Sequence, residues 1–110
     1  MITFQDFNAI EMHTGTVLEV KDFAKARKPA YQLWIDFGDR IGIKKTSAQI
    51  TTRYSKEELV GKMVVAVTNF PPKQIADFIS EVLILGAVAP DGAVTLLAPD
   101  KGVENGFRIS

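Results

Sequence analysis

Lys44, Lys45 and Ser47 stand within four residues of one another, and Ser80 is a later small hydroxyl. Ammonium groups and small hydroxyls suit phosphates and 2′-hydroxyls, and single-stranded RNA is gripped where such a basic groove meets aromatic faces. On a strand, Lys45 shares one face with Ile43 while Lys44 shares the other with Thr46, so only one of the two lysines faces solvent from a barrel wall unless a bulge intervenes. The charge balance fits such a surface. The totals cancel at 13 Lys+Arg and 13 Asp+Glu, but residues 23–56 carry eight bases against two acids, Asp36 and Asp39. Arg27, Lys28 and Arg53, within that stretch, extend the basic footprint. The same charges also fit a solvated face offset by acids folded against it.

A second chemistry is apolar. Phe70 and Phe78 flank the Pro71-Pro72 break, with Ile75 and Ile79 nearby. Together they could line a groove for extended polypeptide, in which backbone edges supply hydrogen bonds and apolar walls accept many side chains. They could equally plug a barrel end.

Catalysis fits poorly. The single histidine, His13, has Glu11 two residues away on the same strand face, but no recognisable nucleophile motif accompanies them. Gly38 and Gly42 lack the Gly-Lys-Ser/Thr of a phosphate loop, and Glu57-Glu58 are adjacent and do not converge. With no cysteine, disulfides, thiolate metal sites and thiol nucleophiles are all excluded. A binding protein without catalytic activity, metal or cofactor is expected.

The positioning elements follow from pattern. A length of 110 residues favours one domain over 1–110. Thr3-Phe4-Gln5-Asp6 is a capping box opening a short helix, with Phe4, Phe7 and Ile10 on one face. Residues 11–22 read as a strand in which Gly15 suggests a bulge or bend. Residues 31–37 and 41–46 form a hairpin about Gly38-Asp39-Arg40. Ser55-Lys56-Glu57-Glu58 caps a second helix that Gly61 ends. Met63–Val67 and Val82–Val88 are apolar strands, and Val94–Leu97 with Phe107–Ile109 makes a last hairpin-like piece. Strand-strand-strand-helix-strand-strand is the order of the five-stranded OB-fold barrel, so the class expected is all-β with short helices. The terminal additions carry Phe4, Phe7, Ile10, Phe107 and Ile109, which either cap the barrel ends or form a homodimer interface. No apolar run reaches the roughly 20 residues of a membrane span, and no secretion signal opens the chain, so no membrane insertion and a cytoplasmic location are expected.

Three segments carry a resemblance: Glu11–Val17; Ile41-Gly42-Ile43-Lys44-Lys45-Thr46-Ser47-Ala48-Gln49-Ile50-Thr51; and Asn69–Lys73 running on through Ile75–Leu83. In these the chain resembles the EMAPII-like tRNA-binding domain family and, within it, the small stand-alone bacterial proteins of the CsaA type. The resemblance implies an OB-type barrel, a homodimer, tRNA as a partner held by the cluster Lys44, Lys45, Ser47, Lys73 and Ser80, and a chaperone role toward unfolded or export-bound polypeptides. The chain departs from the wider pattern where an arginine usually stands at His13 and a Gly-Met pair at Val82-Leu83. It departs from the CsaA-type pattern where a base usually stands at Gln74 and a glycine at Asp77. The changes at His13, Gln74 and Asp77 weaken a phosphate surface, which ranks the polypeptide role above tRNA binding.

Overall fold

A computed structural model describes all 110 residues. Helix α1 (Phe4–Asn8) is followed by β1 (Met12–Asp22), β2 (Tyr31–Asp36), β3 (Ile43–Ala48), α2 (Lys56–Leu59) and β4 (Met63–Val67). Short strands complete the chain: β5 (Lys73–Ile75), β6 (Phe78–Ser80), β7 (Leu83–Ile84), β8 (Gly86–Val88) and β9 (Val94–Leu96). One antiparallel sheet runs in the order β3-β2-β1-β4-β7. It curls until β7 approaches β3, giving a nearly closed five-stranded barrel.

Alternation builds the interior. Tyr31, Leu33 and Ile35 of β2 point inward while Gln32, Trp34 and Asp36 point outward, the period-2 pattern of a wall with one buried face. Val17, Phe37, Val64 and Leu59 complete the centre of the core, Leu59 being the one buried residue of α2. β4 is buried from Val64 to Val67, as its unbroken apolar run requires. Both capping boxes close reciprocally, Thr3 with Asp6 and Ser55 with Glu58.

Gly15 serves packing, not a bulge. The β1–β4 register runs unbroken through it, and a Cβ there would lie 2.7 Å from both Ile35 Cγ2 and Phe37 Cδ1. The irregularity in β1 falls between Val17 and Glu19, leaving Leu18 unpaired and 44% exposed.

The apolar run 82–88 is two strands, not one. β7 pairs with β4, the chain changes partner at Leu85, and β8 then pairs with β9. Gly86 permits this switch, because a Cβ there would sit 2.5 Å from Val94 Cγ1. β9 and Phe107–Ile109 consequently do not pair with each other. The latter segment runs beside the start of β1, through the His13–Arg108 bridge and the Ile109 N–H donating to the Met12 carbonyl at 2.9 Å.

Side chains lace the seam between β3 and the 80–82 segment. Thr46, 1% exposed, donates from Oγ1 to the Val82 carbonyl at 2.7 Å and lies 2.9 Å from Ser80 Oγ, which accepts the Ser47 N–H at 3.2 Å. Glu81 exchanges two bonds with Lys45: its N–H donates to the Lys45 carbonyl at 2.8 Å, and its Oε1 accepts the Lys45 N–H at 3.0 Å.

Candidate functional site

The β5–β6 hairpin is a separate two-stranded sheet that follows Pro71 and Pro72, which lack the N–H groups a ladder needs. Its two-residue turn, Ala76-Asp77, puts Ala76 at φ 54°, the only non-glycine residue with positive φ. β5 has β6 as its sole strand neighbour, so its outer edge carries unpaired backbone groups.

A cleft opens on each side, and the two share Ser47 together with Lys73, Gln74 and Ile75 of β5. The first, of about 840 Å³, lies toward the 23–30 loop and is basic, with Lys25, Arg27, Lys28 and Lys73 around Ser47 and Gln49. The second, of about 690 Å³, is apolar along Phe70, Pro71, Pro72, Ile75, Val82 and Leu83, with Ser80 and Glu81 at its polar side. Phe70 is 54% exposed and Leu83 49%, so this wall meets solvent in the isolated chain.

Of the basic and hydroxyl residues singled out by sequence, Ser47 and Lys73 line both clefts and Ser80 the second. Ser80 is also committed to the seam: with the Thr46 proton on Val82, its own hydroxyl donates to Thr46 while accepting from Ser47. Lys44 and Lys45 take opposite faces of β3, as strand parity requires. Lys45 is on the outer face, its Nζ 5.2 Å above the Phe78 ring, a cation–π geometry. Lys44 shares the inward-directed face with Thr46, and neither lysine lines a cleft.

Phe70 and Ile75 line the apolar cleft, but Phe78 does not. At 6% exposure it belongs to a small second core with Phe23 and Ala30, its ring tilted against Phe23 and edge-on to Trp34. Ile79 leaves β6 on the opposite face and lines neither cleft. Val82 and Leu83 read in the sequence as strand core; Val82 is core, while Leu83 on β7 faces the cleft and solvent. The three cations of the 23–30 loop are legible as a basic stretch, but their meeting with Lys73 is a tertiary fact.

Phe4 at 88% exposure, Ile10 and Phe107 are exposed, and Phe7 and Ile109 are half-buried. They stand on adjoining segments, since Arg108 Nη2 donates to the Asn8 carbonyl of α1 at 2.9 Å. No residue of α1 is buried.

His13, 2% exposed, has both ring nitrogens engaged, by Thr68 and by Arg40. Burial first, then Arg40, lowers its pKa, with Arg108 adding to the shift and Glu11 opposing it. A base without a free nitrogen has no access to a substrate proton. No helix is long and apolar enough to cross a membrane.

A family model described as a putative tRNA binding domain matches residues 12–108. The fold is similar to the crystal structure of the CsaA chaperone protein from Picrophilus torridus, at 57% identity and a TM-score of 0.93 over all of both chains. It is likewise similar to the chaperone CsaA of Bacillus anthracis, at 50% identity and a TM-score of 0.95, covering 100% of this chain and 99% of that one. Among sequence relatives, a methionine–tRNA ligase of Porphyromonas gingivalis is 34% identical over 108 residues, 98% of this chain. The chain spans 15% of that enzyme's length.

Proposed function

The chain belongs to the putative tRNA binding domain family, and from that premise we propose that it is a homodimeric cytoplasmic chaperone, without catalytic activity, which holds unfolded and export-bound polypeptides and also binds tRNA. The observation that carries the polypeptide role is the solvent-open apolar cleft of Phe70, Pro71, Pro72, Ile75, Val82 and Leu83 beside the unpaired edge of β5. An extended client gains main-chain hydrogen bonds along such an edge and sequence-tolerant apolar contact from such a wall. The naming of two full-length relatives, at 50% and 57% identity, as chaperones supports the same reading.

The test is aggregation of a thermally denatured client enzyme followed by light scattering. Phe70→Ser with Leu83→Ser removes most of the suppression while the melting temperature of the chaperone holds. Suppression undiminished in that variant would refute the cleft as the client site.

The basic cleft and the family match support tRNA as a second ligand. Contact with about four phosphates gives a slope near −3 in log K against log salt. Labelled tRNA titrated at two salt concentrations reads it directly, and binding indifferent to salt would exclude the reading. The exposed apolar residues of α1 and Phe107 support self-association. Doubling a weak site raises apparent affinity for a ligand long enough to span both copies.

A further inference from the structure

We propose that Asp77 is an internal occupant of an anion seat on Lys25, and that a phosphate of the RNA backbone displaces it when RNA enters the basic cleft. This deepens the RNA-binding reading above and rests on it. Lys25 Nζ lies 2.8 Å from Asp77 Oδ2, a bond that ties the 23–30 loop to the tip of the β5–β6 hairpin.

The other cations of that cleft are uncompensated. Arg27, Lys28 and Lys73 line it with Lys25, and none of the three is paired with a carboxylate. Three of the four positive charges are therefore free for a ligand, and the fourth is covered by the chain's own carboxylate. The cover is presented by a defined two-residue turn, with Gln74 Nε2 donating to the Ala76 carbonyl at 3.0 Å. Both partners are largely exposed, and an exposed ion pair is held weakly enough for one phosphate of a polyanion, held also by the neighbouring cations, to exchange with it.

The occupant is identified by what the cleft lacks as well as by its charge. Its one aromatic residue, Phe23, is buried and offers no face for a base. Cations with Ser47 and Gln49 but no stacking platform contact a phosphodiester backbone and carry no base readout. Asp77 thereby sets the strength of binding, as a cost met each time the seat is exchanged.

Fluorescence anisotropy with labelled tRNA tests this on the full chain, comparing wild type, Asp77→Asn, Lys25→Ala and the double variant, each first checked for an unchanged melting temperature. Asp77→Asn tightens binding about fivefold, the worth of one unit-charge contact in water that no longer has to be broken, and leaves the salt slope nearly unchanged, since Lys25 meets a phosphate in both forms. Lys25→Ala weakens binding and abolishes most of the gain from Asp77→Asn, because the two act through one contact. Arg27→Ala with Lys28→Ala makes the slope shallower by about 1.4. An equal gain in the Lys25→Ala background would make Asp77 a mere background charge and overturn the seat. If Asp77→Asn strengthens polyglutamate binding but not tRNA binding, the seat belongs to acidic polypeptide and the RNA assignment is overturned. Wild-type tRNA binding that ignores every variant refutes the seat but leaves the RNA reading standing. Absence of tRNA binding at low salt in every form, Asp77→Asn included, refutes both.

Discussion

Arg40 Nη2 donates to His13 Nε2 across 3.2 Å, which makes Nδ1 the protonated nitrogen of the ring and the donor to Thr68 Oγ1 at 2.8 Å. The Thr68 hydroxyl passes the chain on to the Glu11 carbonyl at 3.2 Å. A second ring proton would face a guanidinium in a buried setting, so the folded pKa lies below the ordinary 6.5. Above about pH 7 the ring is neutral in both folded and unfolded chains and the contribution is fully present. As pH falls past 6.5 the unfolded chain takes up the proton first, and stability declines until the folded pKa is passed. The unfolding free energy from urea titrations should fall as pH drops from about 7.5 to 5.5, with a slope no steeper than about 1.4 kcal/mol per pH unit. His13→Gln should flatten that slope whatever it does to the plateau.

The seam gives a second expectation. Thr46→Val keeps the shape and removes a buried hydroxyl that serves the Val82 carbonyl and Ser80, so equilibrium unfolding should register a loss of about 1–3 kcal/mol. Ser80→Ala, at the half-buried end of the same network, should cost about 1 kcal/mol. A neutral Thr46→Val would mean that the network adds nothing to closure.

Ala76 holds a left-handed conformation at φ 54°. Relief of that strain exceeds the entropy glycine adds to the unfolded chain, so Ala76→Gly should raise stability by about 0.5 kcal/mol. A lower urea midpoint would show that the turn carries no strain.

Self-association should depend on α1 and the 107–109 segment. Phe4→Ser with Phe107→Ser removes two of the most exposed apolar rings and, with no residue of α1 buried, leaves the barrel core intact. Light scattering should then report one chain mass where the wild type reports two. A wild type of single mass would end the dimer reading.

Local chemistry made much of the fold legible. β2 alternates because one of its faces is the core, and Thr3 and Ser55 open helices because their caps are complete within four residues. The hairpin β5–β6 was not legible, since Ala-Asp is no turn signature and its conformation is imposed by the pairing of Ile75 with Phe78. Gly15 was misread because a glycine needed for close approach looks the same in sequence as one needed for a bulge. At the candidate site, Ser47, Lys73 and Ser80 line the same cleft as Phe70 and Ile75, although their types pointed to two separate surfaces, one basic and one apolar. Phe78 went the other way: its ring found Phe23 and Trp34, partners more than 40 positions distant, and no local pattern encodes such a meeting.

A cylinder with four walls of backbone ladder and one laced by hydroxyls and a carboxylate is not equally firm all round. Native-state hydrogen exchange should therefore find its earliest sub-global opening at the Lys45, Ser47 and Glu81 amides, ahead of Leu33 and Ile35 at the centre of β2. Because Ser47, Ser80 and Glu81 also border the apolar cleft, each such breath widens the space offered to a guest without unfolding its host.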